Sequence, residues 1–146
     1  MAITYIGTQL FVSAADASSV GATYAARNTA AGQEVGKVIS IGEIGDTAED
    51  VSFDLLEGGR RTHVNGVRDV GDIDVTCEFD GADAGQNRIR TLANSNTTTV
   101  FQVTDTDGEG LAFLGVVANY RETERNANSY KGCMFTMRGQ SDIARS

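Results

Sequence analysis

Residues 72–80 read DIDVTCEFD and decide the fold, because apolar and polar side chains alternate strictly along them. Ile73, Val75, Cys77 and Phe79 form the apolar set, and four acids and a threonine occupy the other positions. Successive side chains of a β-strand point to opposite faces of its sheet, so this period of two predicts a strand with one buried and one polar face.

The polar face of this strand carries Asp72, Asp74, Glu78 and Asp80. Carboxylates placed so close together repel one another unless water or neighbouring Lys and Arg screen them. A divalent cation or an acid–base pair is an alternative use, but alternate side chains on a strand are about 7 Å apart, too far to share one small ion without further ligands. We therefore favour an electrostatic surface, with an ordinary solvated face as the alternative.

A helix is predicted over residues 83–95, directly after this strand. Asp83 followed three residues later by Gln86 has the form of a capping box. The apolar residues of the segment share one helical face with Gln86, and Arg88 and Arg90 point away from it.

A hairpin follows the helix. Residues 97–104 and 111–120 are rich in β-branched and aromatic side chains and flank an Asp-Gly turn at 105–110. Asp105-Thr106-Asp107-Gly108 resembles part of a calcium loop, but the third carboxylate and the closing Glu are missing, which favours a plain turn. Residues 129–138 supply a last strand.

Upstream, residues 38–44 and 51–55 predict two strands. Residues 58–68, GGRRTHVNGVR, predict a basic loop flanked by glycines. Residues 3–12 indicate a strand or extended arm, and residues 13–37, rich in Ala, Ser, Thr and Gly, indicate a loop or arm with one short helical turn.

This order of elements predicts a mainly β chain, an antiparallel two-sheet β-sandwich (barrel-like) with one flanking α-helix. We expect a single domain over residues 1–146. It would consist of an arm and loop region at 1–37, a β-sandwich core at 38–140 and a C-terminal tail at 141–146.

The charge is unevenly distributed. The formal net charge is −8, and residues 38–110 contain 15 acidic and five basic residues, for a net −10. Reading or wrapping nucleic acid requires clustered Lys and Arg, so this balance argues against a nucleic-acid binder. Apolar stretches are far shorter than the roughly 20 residues of a membrane-spanning helix, so we expect no membrane partner.

The residue types and motifs present argue against an enzymatic function. His63 is the only histidine, which excludes a two-histidine metal site within one chain, and no nucleophile elbow or phosphate loop occurs. Residues 1–5 lack the features of a signal peptide, so Cys77 and Cys133 are expected to be buried free thiols. We expect no catalytic residue, metal or cofactor.

The order of segments also resembles a known family. The resemblance spans about residues 36–140 and is carried by residues 36–44, 51–55, 58–60, 69–72 and 80–92. It is to the major tail tube proteins of long-tailed, non-contractile bacteriophages and of related gene transfer agents. It implies a two-sheet sandwich assembled as hexameric rings, which stack into a hollow tube through which the genome passes.

The resemblance also implies roles for particular residues. An acidic lumen lets DNA pass without binding it, and the best lumen-lining candidates are Asp72, Asp74, Glu78 and Asp80. Weaker lumen candidates are Glu43, Asp46, Glu49 and Asp54. The long loop that would contact the next ring contains Arg60, Arg61, His63 and Arg68. Residues 1–35 and 141–146 would be arms that become ordered mainly on assembly.

The partners implied are further copies of the chain, tape measure, tail-tip and tail-terminator proteins, and passing DNA. The protein would be located in the virion tail after assembly in the bacterial cytoplasm. Two other classes stay open. The inner tube of a contractile secretion machine predicts the same ring, whereas a surface β-sandwich binding module requires an export route and exposed aromatic residues. A hydrolase ranks behind both.

Overall fold

The computed structural model describes residues 6–13, 23–30 and 32–146. Within them the elements, in chain order, are β1 (Gln9–Val12), α1 (Tyr24–Ala30), β2 (Gln33–Val35), β3 (Val38–Ile41), β4 (Thr47–Asp54), β5 (Arg61–Asp69), β6 (Asp72–Glu78), α2 (Ala84–Ser95), β7 (Thr99–Thr104), β8 (Gly110–Glu122), β9 (Gly132–Gly139) and β10 (Ala144–Arg145). The prediction of a mainly β chain with a helix near 83–95 is confirmed.

The strands form two antiparallel sheets, as predicted, but of very different size. Eight strands form one sheet in the order β2-β1-β7-β8-β9-β6-β3, with β10 beside β8, and β4 pairs with β5 in a separate two-stranded sheet. The predicted hairpin is confirmed, because Thr99–Thr104 pairs with the first half of β8.

The core lies on one face of the large sheet. The three apolar residues of β6 are buried between exposed acids, which confirms the predicted alternation. Phe101 and Phe113 reach the same face from β7 and β8, with ring centroids 5.7 Å apart. Ile89 and Leu92 of α2 are fully buried in this core, so the helix covers it.

The two edge strands of the large sheet are consecutive in the chain. β2 ends at Val35 on one edge and β3 begins at Val38 on the opposite edge, so only Gly36 and Lys37 connect them. The sheet must therefore curl until its edges lie near each other. The described residues form no backbone ladder between those edges, so the predicted barrel-like form is not a closed one.

The start of α2 fills the place where the edges meet. Asp83 Oδ2 accepts hydrogen bonds from the backbone N–H groups of Gln86 (2.9 Å) and Gly36 (3.0 Å). The buried Gln86 amide donates to the carbonyls of Gly36 (2.9 Å) and Glu78 (2.8 Å) and accepts from the Asp80 N–H (2.9 Å). Only half of the predicted capping box forms, because the Gln86 side chain joins two strand ends instead.

Arg88 and Arg90, predicted to point away from the apolar face of the helix, are only partly exposed. Arg88 Nε donates to the Ser13 carbonyl at 3.0 Å. The Arg90 guanidinium lies 5.2 Å from the centre of the Phe79 ring, and its Nη1 donates to the Tyr120 hydroxyl at 3.4 Å. These contacts join the helix to residues far away in the chain, which a helical wheel does not show.

Residues 13–37 were predicted as a loop or arm with one short helical turn. The helix is present as α1, but the described parts pack against the core rather than forming a loose arm. Val35 belongs to the core, and the buried Arg27 of α1 donates to the carbonyls of Ala112 (3.0 Å) and Asp142 (2.8 Å). Arg27 also forms an ion pair with the Asp142 carboxylate at 3.2 Å. The parts of the predicted arm at 1–5, 14–22 and 31 lie outside the described residues.

The C-terminal residues, also predicted as an arm, fold back onto the sheet. Ala144 and Arg145 pair with Ala112 and Leu111 of β8. These bonds cover the part of β8 that β9 leaves unpaired, so residues 141–146 complete the sheet within the same chain.

Cys77 and Cys133 lie opposite each other across β6 and β9 as buried free thiols, which confirms the prediction. Burial, with a smaller contribution from the neighbouring Cys133, raises the pKa of Cys77 to about 12. Burial likewise raises the pKa of Cys133.

The Gln86→Leu substitution should lower the free energy of unfolding by about 3 kcal/mol, because it leaves buried backbone groups at the sheet edges without partners. Urea denaturation measures the effect. Asn94→Ala, on the exposed side of the same helix, is the matched control and should change stability by less than about 0.5 kcal/mol. A Gln86→Leu protein as stable as the control contradicts this role.

The two thiols should resist an aromatic disulfide reagent at pH 8 in the folded protein, because the reactive thiolate is scarce when the pKa is raised and the groups are buried. Both should react at once in guanidinium chloride. Absorbance of the released chromophore follows the reaction. Rapid reaction of two thiols in the native protein is the outcome that contradicts their placement.

Candidate functional site

A hairpin made of β4 and β5 stands apart from the large sheet. Among the residues that the structure describes, the two strands pair only with each other, and all eight residues of β4 are exposed. The turn between them is closed by bonds from the Leu55 N–H to the Arg60 carbonyl (3.1 Å) and from the Gly59 N–H to the Leu55 carbonyl (3.0 Å). The prediction of a loop over residues 58–68 is therefore wrong. Most of that segment is strand, because β4 supplies a hydrogen-bonding partner.

The hairpin has an apolar face. Val51 lies opposite Val64, and Phe53 lies opposite Thr62. Val51, Phe53 and Val64 are 46, 47 and 49 % exposed, and Leu56 in the adjoining turn is fully exposed. We call Val51, Phe53 and Val64 the apolar hairpin face. Neighbouring exposed apolar side chains of this kind mark interaction surfaces on folded proteins.

The opposite face of the hairpin is polar. Arg61 Nε donates to Asp54 at 3.1 Å, and His63 Nδ1 lies 3.1 Å from Asp50. Each of these exposed pairs contributes only about 0–1 kcal/mol. Four residues were predicted to contact the next ring. Arg60 lies in the hairpin turn, and the other three, Arg61, His63 and Arg68, lie on β5.

The acidic face of β6 lies on the outer side of the large sheet. Asp72 accepts a hydrogen bond from Arg138 Nε at 3.1 Å. Asp74 accepts one from the Thr136 hydroxyl at 2.9 Å. Both partners come from β9, the neighbouring strand, and the Arg138 cation offsets the charge of Asp72, which the sequence of β6 alone does not show.

The remaining acidic candidates lie on several different elements. Asp80 lies 3.8 Å from the Lys37 ammonium. Glu78 forms no ion pair with any residue that the structure describes. Of the weaker lumen candidates, Glu43 and Asp46 lie in the connection between β3 and β4. Glu49 and Asp54 lie on β4 itself.

The described ranges contain no group of three or more His, Cys, Asp or Glu side chains that could hold a metal ion. None of their helices is long and apolar enough to cross a membrane. The features that distinguish this surface are therefore the apolar hairpin face and the acidic side of β6.

The sequence matches no protein-family model and no curated protein. Among solved structures, the fold is similar to a sheath/tube terminator of an extracellular contractile injection system (PVC), with a TM-score of 0.73 and 7% identity over 100% of this chain and 97% of that one. A chain in the tail of an empty gene transfer agent particle, refined with C6 symmetry, has a TM-score of 0.65 and 19% identity over 78% of this chain and 85% of that one.

A chain of the PVC sheath–tube complex has a TM-score of 0.65 and 9% identity, over 95% of this chain and 87% of that one. These identities show a common fold. The chain therefore shares its architecture with proteins of phage-like tails and contractile injection systems.

Proposed function

We propose that this chain is a structural subunit of a phage-like tail tube, in which six copies form a ring and the rings stack into a conduit. The observation that carries the proposal is the apolar hairpin face, which no described part of the same chain covers. Covering each of its half-exposed side chains with a second copy contributes on the order of 1 kcal/mol. The shared fold with a C6-symmetric tail supports a second copy as the occupant.

The proposed conduit carries DNA into a host. The net charge of −8 supports this, because each exposed Lys or Arg in a lumen adds attraction to phosphate and slows transit. Asp72 and Asp74 remain lumen candidates. Because Arg138 pairs with Asp72, the proposed lining repels phosphate less strongly than the acids of β6 alone would.

The location in a virion tail and the partners of the tube, which are the tape measure, tail-tip and tail-terminator proteins, belong to the same proposal. The absence of catalytic activity also stays a prediction. The inner tube of a contractile system is the alternative assembly with the same ring.

A tube-terminating protein is a second candidate function. It is favoured by the similarity to a sheath/tube terminator, which extends over 100% of this chain. A terminator stops at one ring, whereas a tube subunit adds rings without a fixed limit. The length of the assembled particle therefore separates the two functions.

Negative-stain microscopy of the purified protein, with its tail-initiation complex, should show rings stacked into tubes. Single rings that never stack indicate the terminator, and monomers under these conditions contradict both functions. Phe53→Asp should abolish assembly and leave the thermal unfolding temperature unchanged, because the new carboxylate would have to lose its water in the interface. Ser52→Asp, the next residue on the polar face, is the matched control and should assemble normally.

Charge reversal tests the conduit. Particles with Asp72→Lys and Asp74→Lys should assemble to normal tail length but deliver DNA several-fold less efficiently, because added cations bind phosphate. Glu109→Lys with Glu124→Lys makes the same charge change at exposed positions elsewhere and should leave delivery unchanged. Normal delivery by the first variant removes Asp72 and Asp74 from the lumen.

A further inference from the structure

A second set of exposed apolar side chains lies on the outer face of the large sheet. Met134 of β9 is 41 % exposed and faces outward opposite Thr76, on the same face of the sheet as the acids of β6. Tyr130 is 50 % exposed, and its ring covers the outer face of Gly132, where a Cβ atom would clash with the ring. Tyr130 and Met134 are therefore neighbours on that face.

The edge strand β3 extends this surface. Ile39 lies at the register shift in β3 and is 56 % exposed. No described strand pairs with the other edge of β3. We call Ile39, Tyr130 and Met134 the outer apolar patch. It is separate in the chain from the hairpin, with Ile39 on β3, Met134 on β9 and Tyr130 in the segment just before β9.

The rims of the two apolar surfaces carry complementary charges. Glu78 lies opposite Gly132, and Arg121 lies opposite Met134, so both share the outer face with the patch. The hairpin turn carries Glu57 and Arg60. None of these four side chains forms an ion pair within the described part of the chain. Each surface thus presents one free acid and one free base beside its apolar residues.

We propose that the apolar hairpin face of one copy docks on the outer apolar patch of the next copy, with Arg60 beside Glu78. This inference rests on the proposed function and names the acceptor surface for the hairpin. Two different surfaces meet, so the contact is heterologous, and repetition closes a ring or continues as a helix. Docking of hairpin on hairpin would instead give a closed two-fold dimer with no surface left for a third copy.

The estimated contact area is too small for a stable dimer and fits an assembly in which the same contact is repeated many times. Eight strand residues span about 27 Å, and two strands with their side chains are roughly 10 Å wide, so both partners together bury on the order of 500 Å². Stable pairwise interfaces bury about 1,200–2,000 Å². One hairpin contact is therefore too small to hold a dimer, and several contacts acting together are needed.

This assignment also separates the acidic residues of β6 into two groups. Glu78, at the end nearest Tyr130, belongs to the interface between copies. Asp72 and Asp74, at the other end of the strand, stay outside it and remain candidates for the lumen.

Site-directed cross-linking tests the docking. A chain with Phe53→Cys is mixed with a chain with Met134→Cys under assembly conditions and mildly oxidised, and denaturing gels are run without reductant. We expect a linked dimer in the mixture and not in either variant alone. The buried Cys77 and Cys133 do not compete. A link formed by the Phe53→Cys chain alone, or no link in the mixture, overturns the inference.

Microscopy of the same samples keeps the two proposals distinguishable. Rings without the mixed link overturn this docking and leave the tube function standing, whereas a lack of any assembly under these conditions contradicts both.

A charge exchange tests the orientation. Arg60→Glu and Glu78→Arg should each reduce the assembled fraction several-fold, and the two changes combined in one chain should restore most of it. Glu109→Arg, at an exposed turn away from both surfaces, is the control and should assemble normally. A double variant that assembles no better than the single variants overturns the pairing of Arg60 with Glu78.

Discussion

The side chain of Gln86 holds the structure together at the point where the large sheet begins and ends. Because β2 and β3 are consecutive in the chain but lie on opposite edges, the sheet must curl to bring those edges together. Gln86 binds the connection between them at Gly36 and the end of β6 at Glu78 and Asp80. Both polar atoms of its buried amide group have hydrogen-bond partners, which makes such a network stabilising. The same residues fix α2 over the core.

The curled sheet explains why the hairpin is left outside. Its inner face is filled by side chains of its own strands and by α2, so the apolar residues of β4 have no place in the core. In a monomeric protein, an exposed hairpin with an apolar face favours aggregation, because apolar surface promotes association with other molecules. In an assembling protein the same exposure is the means of association. Under the proposed function, association uses two surfaces, one on the hairpin and one on the large sheet.

Elements with strong local sequence patterns were predicted correctly, and features that depend on partners far away in the chain were not. The alternation around Val75 and the cap at Asp83 are local, and the structure confirms both. Residues 58–68 contain polar residues and glycines that resemble a loop, and they form a strand only because β4 pairs with them. The acidic face was recognised, but Arg138, which pairs with Asp72, lies 66 residues away and could not be assigned from the sequence.

The sequence by itself determined the class of the fold, the place of the long helix, the burial of the two thiols and the negative charge of the central region. Each of these follows from side chains within a few residues of one another or from composition. Only the tertiary structure decided that the sheet curls onto itself, that the hairpin stands free with an apolar face, and that most acids of β6 have partners. Those features depend on which strands become neighbours, and strand pairing is set by contacts between residues far apart in the chain.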